Sequence, residues 1–194
     1  MKLSLILLLL ISPFFLSGCA FVPEKVSLDA HHLVQKKQIG QKKRLSVEVV
    51  DLRATADIGG RPSGYGPAAT ISLADDLAVV MRKTLITNLK AVGFLPLKAS
   101  TRTADRHLVV RILNLEYKQR AGFWTGHIDL VAGVELVATR YNRHINKIYR
   151  VKKTMDVLFT PSSEADAKLI NDTYKALIEK IFRDESWLRF LAKT

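Results

Sequence analysis

From Gly126 to Arg140 the chain alternates strictly: Ile128, Leu130, Ala132, Val134, Leu136 and Ala138 share one parity, while His127, Asp129, Glu135 and Thr139 share the other. A period of two sustained over this length is a β-strand with one dry face and one wet face. Such a strand belongs in a sheet covered on one side, the habit of antiparallel sheets; parallel sheets are buried on both faces. The flanking segments extend the pattern. His107 to Gln119 leads through Ala121-Gly-Phe-Trp-Thr-Gly126 into this strand, and Tyr141-Asn-Arg-His144 leads out of it into Ile145 to Phe159. The expectation is a meander of three long strands.

The rest of the chain supplies the cover. Leu45, Val47 and Val49 alternate in a first strand ending near Arg53, and Ala54 to Ile71 holds four glycines and two prolines, predicting a long loop. That loop lacks the Gly-Lys-Ser/Thr ending of a nucleotide-binding P-loop. Ser72-Leu-Ala-Asp75 fits a capping box before a helical stripe of Leu73, Leu77, Val80, Met81, Leu85, Leu89 and Val92 that stops at Gly93. Phe94 to Leu97 then predicts a short strand, parallel to the first through a right-handed crossover. A second capping box, Ser163-Glu-Ala-Asp166, precedes a stripe of Ile170, Tyr174, Leu177, Ile178 and Ile181. Asp184 is placed to cap a short last helix, whose Trp187, Phe190 and Leu191 either dock on the domain or touch a membrane. The fold class expected is α+β: a two-layer sandwich of about five mostly antiparallel strands, two main helices on one face and a short C-terminal helix.

The amino terminus carries an address. Lys2 precedes an apolar run from Leu3 to Leu16, about 21 Å long as a helix and short of the roughly 30 Å a bilayer core demands. Leu16-Ser-Gly-Cys19 resembles a bacterial lipobox, in which a signal peptidase cuts before a lipidated cysteine. Cys19 is also the chain's only cysteine, which excludes an intramolecular disulfide and four-cysteine zinc chemistry. A diacylglycerol thioether and an N-acyl chain on Cys19 anchor a domain permanently without spanning the membrane. In a Gram-negative lipoprotein, which the family resemblance given below implies, Ala20, where an Asp would signal inner-membrane retention, points to the outer membrane, facing the periplasm; the signal and lipobox alone leave a Gram-positive surface open. The expected division is a signal peptide over 1–18, a lipidated cysteine and basic tether over 19–44, and a periplasmic α+β domain over 45–194. Lys36, Lys37, Lys42, Lys43 and Arg44 give the tether its charge.

With the lipobox, the Val49-Val-Asp-Leu-Arg53 strand end, the Ala91-Val-Gly-Phe94 helix end, the meander and the Ser163 to Phe182 helix, the chain resembles the YajG-like family of uncharacterized Gram-negative lipoproteins. The resemblance covers most of the mature chain, and it carries no catalytic or ligand-binding residues to transfer.

The formal charge of +12 predicts attraction to anionic surfaces. Its densest expression is Arg140, Arg143, Lys147, Arg150, Lys152 and Lys153, with no carboxylate between Glu135 and Asp156, a candidate anion-binding hairpin for lipopolysaccharide, anionic phospholipid or acidic glycan. A solvated basic face is the bland alternative. Nucleic acid suits the charge but not the address. Phe123 and Trp124 at the turn are candidate anchors for an envelope protein, with core packing as the alternative. His127, Asp129 and Glu135 on one strand face, with Arg111 beside them, are the only acid-base group to be drawn. No Gly-x-Ser-x-Gly or His-Glu-x-x-His motif accompanies it. The expectation is a non-enzymatic accessory module without cofactor or metal.

Overall fold

The computed structural model describes residues 23–31, 34–61, 68–97, 104–120, 126–157 and 161–193. The lipobox, Phe123 and Trp124 lie outside them. Eight strands form one mixed sheet: β1 (Glu24–Val26), β2 (Arg44–Asp51), β3 (Gly59–Arg61), β4 (Ala69–Leu73), β5 (Leu95–Pro96), β6 (Arg106–Arg120), β7 (Gly126–Arg140) and β8 (Arg143–Val157). Three helices pack on it: α1 (Leu77–Ala91), α2 (Ser163–Arg183) and α3 (Glu185–Ala192). Among the described residues, no helix is long and apolar enough to cross a membrane.

The meander is present as β6, β7 and β8, paired antiparallel along their whole lengths. Ile128, Leu130, Leu136 and Ala138 are fully buried, so the alternation of β7 does face one core. The second edge of β6 is shared. Its first half pairs parallel with β2, from Ser46 opposite His107 to Asp51 opposite Ile112, and Tyr117 in its second half pairs with Gly59 of β3. A bulge between Ile112 and Asn114 separates the halves and bends the strand. The sheet therefore forks and curls, with β5 beyond β2 and with β4 and β1 beyond β3. Gly59 permits the fork: at φ 154° it lies so close to β6 that a Cβ would fall 2.1 Å from the Tyr117 carbonyl oxygen.

The α+β class holds, and the sheet is more extensive than the five strands expected. The Ala54 to Ile71 loop contributes β3 and the start of β4, and Ser72 and Leu73 belong to β4. The helix begins later, at Leu77, capped by Asp76, whose carboxylate accepts from the Ala78 and Val79 amides. Gly93, at φ 93°, closes α1 in the left-handed region, where a side chain costs about 1–2 kcal/mol. The short strand is parallel to the first as expected, β5 pairing with β2. At α2 the cap is Ser162, whose Oγ accepts from the Ala165 amide at 3.2 Å. Asp184 caps α3 as expected, and Trp187 is fully buried, its Nε1 donating to the Ile181 carbonyl at 3.0 Å.

The tether expectation changes most. Described residues from Glu24 to Lys43 are built into the fold. β1 pairs with β4, Val26 and Leu28 are buried, and the Lys37 and Gly40 amides donate to the Ala91 and Val92 carbonyls at 3.0 and 2.9 Å. The physical reason is that a three-residue strand has no period to read. Its place is set by a remote edge that offers hydrogen bonds.

Candidate functional site

The pleat of β8 divides the six hairpin cations. Lys147 and Lys153 lie on the helix-facing side, opposite Leu136 and Leu130, while Arg150 and Lys152 lie on the outer side, opposite Gly133 and Val131. Lys147 sits 3.5 Å from Asp184, and Lys152 sits 3.0 Å from Asp129. Arg140 is 9% exposed, its guanidinium 5.4 Å from the centre of the Phe190 ring. The hairpin is thus not one cationic patch, and of the six only Arg140 and Arg143 meet, directly opposite one another at the turn.

That turn gathers charge from elsewhere. Arg106, Arg140 and Arg143 stand in one cross-strand row. Like charges so placed repel, and the row is relieved by the end of α3. Arg106 Nε donates to the Leu191 carbonyl at 2.7 Å and Nη2 to the Lys193 carbonyl at 2.9 Å, covering the negative end of that helix. The same guanidinium lies 5.8 Å from the centre of the Tyr141 ring, which is 58% exposed. β2 starts at this end too, so Lys42, Lys43 and Arg44 of the basic run expected in the tether arrive at the same end of the sheet as the hairpin turn, with β6 and β7 between β2 and β8. Two basic stretches about a hundred residues apart form one pole of the molecule, here the turn end.

Strain collects at the turn end as well. Gln41, Lys42 and Tyr141 have φ of 48°, 57° and 51°, and they are all the non-glycine residues of positive φ among those described. Gln41 and Lys42 form a tight turn closed by the Lys43 amide donating to the Gly40 carbonyl at 2.8 Å. Backbone held in this region concentrates where a surface has work to do. Between this turn and the end of α3 opens a recess of about 510 Å³, lined by Gln38, Ile39, Gln41, Arg189, Ala192 and Lys193. Glu185 stands behind it, paired with Lys37 and, at 2.6 Å, with Arg189.

The acid-base group on the outer face separates into ion pairs. Arg111 donates to Glu135 at 2.8 Å, Thr154 to Asp129 at 2.7 Å, and His127 meets Asp156 at 2.6 Å. Thr154 and Lys152 hold the Asp129 carboxyl below the usual range, and Arg111 and Asn146 do the same for Glu135. Both are charged at neutral pH, and six residues of strand, about 20 Å, lie between them. No pair of carboxylates shares a reacting atom here.

A buried cluster invisible in the sequence lies elsewhere. Asp166, wholly buried in the first turn of α2, accepts from Arg61 Nε at 2.8 Å and from the Tyr117 hydroxyl at 2.9 Å; Arg61 also pairs with Glu24. Burial pulls the Arg61 pKa down, and the hydrogen bond and charge of Asp166 more than reverse it. Both Asp166 oxygens are engaged, and the nearby recess along Thr55, Asn114 and Glu116 reaches neither Asp166 nor Arg61. The cluster is a clasp joining β1, β3, β6 and α2. Among the described residues no group of three or more His, Cys, Asp or Glu could hold a metal ion.

Residues 31–192 match the family described as uncharacterized lipoprotein. No curated protein matches the chain in sequence. Among solved structures, an uncharacterized protein superposes with a TM-score of 0.51 at 14% identity, covering 84% of this chain and 100% of the other. A Xanthomonas campestris protein does so with a TM-score of 0.51 at 12% identity, over 83% and 90%. At these identities the likeness is one of fold.

Proposed function

Because the chain belongs to the YajG-like family of uncharacterized lipoproteins, we propose that it is a lipid-anchored accessory module of the cell envelope. It is held by acyl chains on Cys19 at the periplasmic side of the outer membrane, and it acts by binding rather than by catalysis. The observation that carries this reading is the shortness of the leash. β1 begins at Glu24, five residues beyond Cys19, a span of at most about 18 Å. A domain leashed so closely works at the membrane surface. The test is the mass of the mature N-terminal peptide together with fractionation of the envelope. Diacylglycerol plus N-acyl mass on Cys19, outer-membrane sedimentation, and release of Cys19→Ala with an unchanged melting temperature are expected. An unmodified Cys19, or inner-membrane sedimentation, overturns the corresponding part.

A second reading, an anion-binding module for lipopolysaccharide, anionic phospholipid or acidic glycan, is favoured by the meeting of two basic stretches at the turn end. Titration of the chain with lipopolysaccharide, against neutral micelles and in high salt, tests it. Saturable binding that weakens with salt and with charge reversal at Arg143 is expected. Equal affinity for neutral micelles refutes it. An envelope-protein partner at Phe123 and Trp124 is tested by Phe123→Ala with Trp124→Ala, which should abolish capture and leave thermal stability intact.

A further inference from the structure

We propose that the recess between the Gly40–Lys43 turn and the end of α3 is a binding site for an acidic glycan, a chain of sugar units bearing carboxylates. This deepens the anion-binding reading above and rests on it. The lining decides the ligand class. Lys193 supplies a cation, and Arg189, paired with Glu185 through one nitrogen, offers the rest of its planar fork to a carboxylate. Gln38 and Gln41 supply amides, each of which both donates and accepts. A phosphate or sulfate accepts only, so the accepting half of each amide is wasted on it. A sugar hydroxyl uses both halves. Ile39 and Ala192 add apolar surface for the C–H face of a sugar ring. Exposed Tyr141, linked to the end of α3 through Arg106, places an aromatic face nearby.

Three further observations converge on the same place. The carbonyls at the end of α3, which would repel an anion, are already covered by Arg106. Gln41, one of the recess residues, is held at φ 48° beside Lys42 at 57°, a tight turn that sets where its side chain leaves the backbone. Finally, the recess and the start of β1 lie at opposite ends of the sheet. Glu24 is level with Ile71, Gly59 and Tyr117 in the sheet register, and the turn end lies eleven residues of β6 further on, at most about 37 Å along a strand that bends at its bulge. The chain enters β1 from the end opposite the recess, so with Cys19 anchored as proposed above the recess would be presented to a polymer beyond the bilayer and not to the head groups around the anchor.

The experiment uses the full lipidated chain in phosphatidylcholine vesicles, with four probes: alginate oligosaccharides, neutral dextran oligosaccharides, inorganic polyphosphate and acceptor vesicles containing phosphatidylglycerol. Saturable binding of alginate, at least tenfold tighter than of dextran or polyphosphate, is expected. Arg189→Gln with Lys193→Gln should lower alginate affinity tenfold or more. Gln38→Ala with Gln41→Ala, which changes no charge, should lower it about tenfold with the melting temperature kept. Lys118→Gln with Lys168→Gln, an equal loss of two charges at side chains 67% and 74% exposed toward the other end, should leave it unchanged. Polyphosphate binding as tightly as alginate, or glutamine variants without effect, overturns the glycan site and leaves general anion binding standing. Preference for the acceptor vesicles overturns it in favour of a lipid surface. Failure of all four probes removes the anion-binding reading as well.

Discussion

Asp166 has no exposed surface and gives both carboxylate oxygens to partners from two other elements, so its replacement leaves Arg61 charged and buried opposite Glu24 alone. Removing one partner of such a pair costs about 3–5 kcal/mol. Asp166→Ala should therefore lower stability by that amount in urea denaturation, whereas Asp172→Ala, whose exposed carboxylate meets Lys168 one helical turn away, should cost under about 0.5 kcal/mol. Asp184 links stability to pH. Burial raises its pKa, but hydrogen bonds from Ser186 and Tyr149 and the charge of Lys147 outweigh that and bring it down to about 2. The folded value lies below the unfolded value of about 3.9, so the stabilisation is whole above about pH 5 and disappears as pH falls toward 2. Asp184→Asn keeps a capping oxygen and removes the titration. Denaturation between pH 6 and pH 2 should show the wild type losing up to about 2 kcal/mol more than this variant, the partial exposure of the carboxylate limiting the difference. At Lys42 the left-handed backbone predicts the opposite sign. Lys42→Gly should raise the melting temperature by about 2 °C, since glycine takes φ 57° without steric cost.

Among the elements, α3 is the shortest helix and holds the largest fully buried side chain. Trp187 packs edge-on against Phe182, ring centres 5.7 Å apart, with Leu188 and Leu191 also fully buried. Trp187→Ala should cost about 3–5 kcal/mol and loosen the turn end, read as faster hydrogen exchange at the Leu191 and Ala192 amides before any change in β7. This helix was legible in the sequence, because Asp184 and the spacing of Trp187, Phe190 and Leu191 state a cap and an apolar stripe. The strands of the meander were equally legible through their alternation. β1, β3 and β4 were not. Glycines and prolines read as loop because they weaken strands in general, and only contact with β6 turns Gly59 into the residue the fork requires. The candidate site divides the same way. The pleat of β8 already separates Lys147 and Lys153 from Arg150 and Lys152 in the sequence, while the arrival of Lys42, Lys43 and Arg44 at the same end of the sheet as Arg143 depends on β2 pairing with β6, a register set by packing over sixty residues of intervening chain.

For the molecule as a whole, the amino-terminal stretch is both leash and structure, and that fixes how the domain stands. Were 19–44 a free tether of 26 residues, its r.m.s. reach would be about 27 Å and the domain would tumble above the membrane. With the fold starting at Glu24, five residues remain, and β1 hands the chain toward the end of the sheet where Arg120 and Gly126 meet. With Cys19 anchored as proposed, the length of β6 would then separate the anchored end of the sheet from the basic turn end. With Cys19 lipidated as proposed, a single new cysteine takes a fluorophore specifically. A donor at Lys118→Cys should transfer strongly to acceptor-labelled head groups, while a donor at Asn142→Cys, in the β7–β8 turn, should transfer several-fold less. Equal transfer from both positions would mean that the domain lies along the bilayer with its basic end on the head groups. Inserting twenty Gly-Ser residues between Val22 and Pro23 should then erase the difference without changing the melting temperature, because the leash, and not a contact of the folded surface with lipid, sets the orientation.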